Sequence, residues 1–262
     1  MSRRFFQGFT IIETMLFFAI TGLLVSGVLI GAGTSVNNQR YRDAVESLKS
    51  LVQTQYSELG SVKNNRTNNL SCNSNATPVS GSQYRGQSSC VITGRYMVIN
   101  NSAITIYTVL ASKKATTSVA ANDIASMKVN YVYNVTPEVD NETMEWGTQL
   151  AWPSSGTGSK SPTTPRGVSM LFIRSPETGT IYTFTSDMAP ASASAISSTT
   201  FTNMLVAGKT IPGQGERTLC VKSNGVTGGD RAVYIAPLAA SSGAIETRTN
   251  ELILSLGGNT QC

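Results

Sequence analysis

Residues 8–39 read GFTIIETMLFFAITGLLVSGVLIGAGTSVNNQ. One acid, Glu13, stands near the start of this stretch, and no further charge appears before Arg40. Residues 14–33 alone supply twenty uncharged positions. At 1.5 Å per helical residue they span about 30 Å, the thickness of a bilayer's hydrocarbon core. Arg3 and Arg4 lie in the short segment ahead of it. The positive-inside rule therefore predicts an N-terminus in the cytoplasm and everything after Thr34 outside. Gly22, Gly27, Gly31 and Gly33 weaken a helix in water but let neighbouring helices approach closely in a membrane.

Beyond Arg40 the pattern changes without a proline or glycine break. Tyr41, Ala44, Val45, Leu48, Leu51, Val52, Gln55, Tyr56 and Leu59 recur at three- and four-residue spacing, with Arg42, Asp43, Glu46, Lys49 and Gln53 between them. This is the signature of a helix with one buried stripe. Gly60 is the expected stop. The stretch 9–59 therefore reads as one helix, apolar all round in its first half and amphipathic in its second.

Downstream, residues 61–91 form a polar stretch without periodicity. Short β-like runs follow at 95–100 and 103–111, with Asn101-Ser102 as a hairpin turn, and at 127–135. Further runs lie at 168–174 and 180–185, joined by the turn residues 175–179, and at 217–222, 232–236 and 252–255. Asn224-Gly225 and Gly228-Gly229 mark a turn. Residues 153–167 and 186–200 are rich in small polar residues and read as loops. Strands gathered after one long helix predict an α+β fold, with the helix packed on an antiparallel β-sheet domain covering residues 60–262.

Composition limits the chemistry. Charged residues make up only 13% of the chain, which suits an extracytoplasmic domain. The net charge is +5, and without Arg3 and Arg4 the chain keeps 18 basic against 15 acidic side chains, too slight an excess to indicate nucleic-acid binding. There is no histidine, so no Ser-His or Cys-His nucleophile system is available. No catalytic set and no cofactor-binding motif emerges, and the chain is not expected to be an enzyme. The acidic group Glu138, Asp140, Glu142 and Glu145 lacks the glycine spacing of a calcium loop and reads as a solvated loop, so no metal site is expected. Cys72, Cys90, Cys220 and Cys262 form no CxxC pair. An even count in an exported chain implies two disulfides. Three pairings are open. Cys72–Cys90, closing a short polar loop, with Cys220–Cys262, tying down the C-terminal segment, is the favoured one.

Gly8-Phe9-Thr10-Ile11-Ile12-Glu13, behind a basic leader and ahead of an apolar run, resembles the signal of type IV pilins and type II secretion pseudopilins. The resemblance covers roughly residues 1–59. Ile11 stands where leucine is common in that family. The likeness implies a pilin-like fold, a leader of residues 1–8 cut after Gly8 by a prepilin peptidase, and N-methylation of Phe9. It implies that Glu13 promotes assembly by facing the terminal amine of a neighbouring subunit. The implied partners are other pilin or pseudopilin subunits, the inner-membrane assembly machinery and, before assembly, membrane lipid. The implied location is the cytoplasmic membrane, then an extracellular or periplasmic filament.

Two other readings compete. A conventional secretory signal would place cleavage after the small residues 31–33, but its apolar core is normally 7–15 residues and does not run into an amphipathic helix. Alternatively the outer domain is an adhesin or other binding module, presenting the loops at 61–90, 153–167 and 186–200, with the helix as its means of display.

Overall fold

A computed structural model describes residues 10–60, 70–80, 89–153, 166–208, 217–223, 231–255 and 262. Helix α1 runs unbroken over Ile11–Gly60, fifty residues, or about 75 Å at the standard rise. The membrane-length apolar run and the striped segment are thus one continuous helix, ending at Gly60.

The rest of the described residues form antiparallel sheets with short helices and connecting turns. Strands β1 (Leu70–Cys72) and β2 (Pro78–Ser80) pair as a small ribbon. They are followed by β3 (Cys90–Asn100), β4 (Ala103–Lys113), helix α2 (Asp123–Asn130), β5 (Tyr131–Thr143) and β6 (Thr148–Ala151). Next come β7 (Gly167–Arg174), β8 (Ile181–Ser186) and helix α3 (Ser198–Met204). Last are β9 (Arg217–Ser223), β10 (Arg231–Ile235), β11 (Ile245–Thr249) and helix α4 (Asn250–Ser255). Five strands form one sheet in the order β5-β4-β3-β7-β8, and four form a second in the order β11-β10-β9-β6.

The five-stranded sheet is covered on both faces. Alternate residues of a strand point to opposite sides. Met97 and Ile99 of β3 and Met170 and Phe172 of β7 therefore join the core beneath α1, which also takes Leu219, Val221, Val233 and Ile235 from the four-stranded sheet. Their neighbours Tyr96, Val98, Leu171 and Ile173 face the other way, onto Met127 of α2 and Phe201 of α3. Double coverage explains why these strands read as continuous apolar runs rather than alternating ones. Into the first core α1 drives Tyr41, Val45, Leu48, Val52, Tyr56 and Leu59, all buried. Burying each large aliphatic among them contributes about 1.5–3 kcal/mol. Gly94 marks an irregularity in the β3–β4 register. A Cβ there would run into the Phe172 carbonyl oxygen, so only glycine lets β7 approach.

Several expected elements differ. The run 127–135 is not one strand: α2 occupies 123–130 and the strand begins at Tyr131. The Asn122 side chain caps α2 by accepting from the Ala125 amide at 2.8 Å, and that capped start favours helix over alternation. Residues 252–255 belong to α4 rather than to a strand. Glu138, Asp140 and Glu142 lie on the exposed outer part of β5, an edge strand, rather than in a loop. Charges on such an edge discourage pairing with other chains. The 186–200 segment carries the start of α3. The turns at Asn101-Ser102 and 175–179 join paired strands as anticipated, whereas the one at 224–229 falls outside the described residues.

Candidate functional site

The site is the free half of α1. Between Ile11 and Arg40 almost every side chain is exposed, including Ile12 at 76%, Phe18 at 72% and Ile30 at 71%. Soluble surfaces do not carry fourteen such apolar side chains along one helix without a partner phase. The helix is long and apolar enough to cross a membrane. Thr21 and Ser26 return their hydroxyls to the backbone carbonyls of Phe17 and Gly22, each at 2.8 Å, so these two hydroxyls are satisfied within the helix.

At its N-terminal end Thr10 and Glu13 form a reciprocal cap. The Glu13 amide donates to the Thr10 hydroxyl oxygen at 3.3 Å, and the Thr10 amide donates to the Glu13 carboxylate at 3.3 Å. This is a capping box, whose T-x-x-E spelling is present in the sequence and went unread there. It gives Glu13 a local role in starting the helix in addition to any partner beyond this chain. Gly8 and Phe9, the expected cut and modified terminus, lie outside the described residues.

Where the free half ends, Tyr41 anchors α1 to the domain. Its buried hydroxyl donates to the Val221 carbonyl of β9 at 2.7 Å and accepts from the Arg231 amide of β10 at 2.9 Å. These two residues face each other across the β9–β10 ladder, so one phenol holds both strands. Further along, Glu46 accepts from the Thr247 hydroxyl at 2.8 Å. Gln53 donates to the Ser242 carbonyl at 3.0 Å. Glu58 is gripped by Arg95, which also donates to Thr108 at 2.8 Å. The Tyr56 hydroxyl, 2.8 Å from that of Thr183, is pushed up to about 12 by burial. The sequence stripe placed Tyr41 in the core; it held no signal for partners 180 and 190 residues away.

Among the described residues, two other clusters of charged side chains tie elements of the domain together. Asp187 receives Arg166 and Arg217, each at 2.9 Å, and Arg166 also stacks over Trp152. Burial raises the Asp187 pKa, but the two guanidiniums outweigh it and hold the carboxyl below its ordinary value. Asp123 accepts from Ser175, Thr178 and Tyr182 at 2.7–2.9 Å and fastens α2 to the β7–β8 turn. Among the described residues no group of acids and cysteines is placed to hold a metal ion. Asp140 instead lies 3.4 Å from Arg95. Disulfides join Cys72 to Cys90, across the segment following the β1–β2 ribbon, and Cys220 of β9 to Cys262. The loops singled out as binding surfaces at 61–90 and 153–167 fall largely outside the described residues. No protein-family model, curated protein or solved structure matches the chain.

Proposed function

We propose that this chain is a structural, non-enzymatic subunit of a helical filament of the type IV pilus or type II secretion pseudopilus kind. The observation that carries the reading is α1 itself: fifty continuous residues, the outer thirty standing clear of the domain with one acid at their start. Glu13 stands at the end of the apolar run, where a carboxylate costs less than the ~2.5–3.5 kcal/mol of the bilayer centre but still opposes burial in lipid. A neighbour's buried ammonium offsets that cost and penalises a wrong register.

In this reading Arg3 and Arg4 hold the leader in the cytoplasm and the peptidase cuts between Gly8 and Phe9. Phe9 becomes the methylated terminus, and the chain waits as a single-pass protein of the cytoplasmic membrane with its domain outside. Assembly withdraws α1 from lipid into a bundle of like helices. The unbroken helix through Thr34 supports this over a secretory signal, because cleavage near there would cut within a regular helix that continues into the core. Mass spectrometry of the mature N-terminus tests it. A methylated Phe9 is expected; a chain starting near Thr34 overturns the proposal.

A further inference from the structure

The end of the domain from which the free half of α1 emerges carries features that the filament reading does not use. Trp146 is 57% exposed, and its backbone lies in the left-handed region at φ 55°. A non-glycine residue held there costs about 1–3 kcal/mol. The residue before Trp146 is held in place: the Glu145 carboxylate accepts from the Ser47 hydroxyl of α1 at 3.0 Å and its backbone carbonyl accepts from the Thr148 hydroxyl at 2.8 Å. The Arg40 guanidinium lies 4.9 Å from the Trp146 ring. On another flank of α1, the first turn of α4 lines a groove with Asn38, Arg42 and Arg231. Leu252 of that helix is 43% exposed. Trp146 and three arginines, with Leu252 next in sequence to the groove residue Glu251, thus lie around the point where the helix leaves the domain.

Their depth follows from the helix rise. Arg40 is seven residues past Gly33, so its backbone sits about 10 Å beyond the hydrocarbon edge. The headgroup region extends about 5–8 Å from that edge. Helical side chains lean toward the N-terminus, which brings the Arg40 guanidinium, with the Trp146 ring 4.9 Å from it, back toward the headgroup layer. Tryptophan partitions to this layer, and arginine pairs with its phosphates. Asp43 and Glu251 lie at the same end and limit any purely electrostatic pull.

We infer that this end of the domain is a seat on the bilayer surface, with Trp146 and Leu252 set into the headgroup layer and Arg40, Arg42 and Arg231 toward lipid phosphates. Before assembly the domain then stands in a fixed orientation on the membrane rather than swinging on its helix. The inference rests on the membrane-spanning reading of α1.

The test uses the full chain in phospholipid vesicles. The chain has two tryptophans, so Trp152→Phe isolates Trp146; the difference between wild type and Trp146→Phe gives the same signal with Trp152 intact. Phospholipids brominated near the headgroup are expected to quench Trp146 about twofold more strongly than those brominated deep in the chain, as for an interfacial indole. If the protein floats with the vesicles but no brominated lipid quenches Trp146, the seat is refuted while the membrane span stands. Shielding from aqueous iodide without lipid quenching also refutes it, because a second copy then covers this face. Failure to float refutes the span itself.

Discussion

Replacing Glu13 with glutamine separates its two roles. The capping box needs an acceptor at this position, and glutamine supplies one. The Thr10 amide, 3.3 Å from the carboxylate oxygen, keeps a partner, and so does the Glu13 amide, which uses the Thr10 hydroxyl. The substitution therefore costs helix initiation a few tenths of a kcal/mol, whereas loss of a cap costs about 0.5–2 kcal/mol. The charge is the larger quantity. Leaving a neighbour's ammonium buried without its carboxylate costs about 3–5 kcal/mol, which is two to more than three orders of magnitude in assembly. Membrane insertion should be unchanged or easier, because no charge enters the bilayer. The assay is quantitative immunoblotting of sheared filaments against the membrane pool in cells carrying Glu13→Gln, Glu13→Ala or the parent. Both variants should reach the membrane in parental amounts and be nearly absent from filaments. If Glu13→Gln enters filaments like the parent, the residue serves as a cap and the charge-pairing argument fails.

Tyr41→Phe keeps the ring but strands the Val221 carbonyl and the Arg231 amide. Two such losses cost about 2–4 kcal/mol, and the urea midpoint should fall accordingly with an unchanged slope. Asp187, whose folded pKa lies below its ordinary value, stabilises fully above its unfolded pKa of about 4 and loses that contribution as pH falls through the lower folded value. Asp187→Asn should thus destabilise by about 1–3 kcal/mol at neutral pH, less than for a fully buried pair because the carboxylate is partly exposed. Melting curves should show the gap from wild type narrowing below about pH 4. Opening the Cys220–Cys262 bond with Cys262→Ser, with Cys220→Ser to avoid a free thiol, removes a closure over 42 residues and should cost about 4 kcal/mol in the chain-entropy model, measured by denaturation.

The long helix was legible because its two halves carry different, strong patterns: an uncharged run of membrane length, then the stripe from Tyr41 to Leu59. The strands flanking Asn101-Ser102 and 175–179 were legible from their turns. What failed were short elements that fit two periods. MKVN at 127–130 alternates as a strand does, yet the Asn122 cap and the burial of Met127 beneath the five-stranded sheet make it the end of a helix. LILS at 252–255 is too short for its period to decide anything. Strand β11, Ile-Glu-Thr-Arg-Thr, is polar at four of five positions because it lies at a sheet edge. The division into two sheets depends on which strands meet α1 from which side, a long-range fact with no local signature. At the site, Glu13 was visible as an isolated acid, and Thr10 was visible in principle through the capping-box spacing. The Tyr41 hydroxyl was not, since its partners belong to the far end of the chain.

That separation also governs the order of events at birth. The contacts made by Glu46 and Gln53 reach residues 201 and 189 positions later. On a ribosome adding 5–20 residues per second, roughly ten seconds or more pass between the emergence of the helix and that of the strands that cover it. Throughout this interval the stripe from Tyr41 to Leu59 has nothing of its own chain from β9, β10 or β11 to rest on. Part of the face of the helix that is made first is thus covered last, and a chaperone or translocation factor able to shield an amphipathic helix has its opening then.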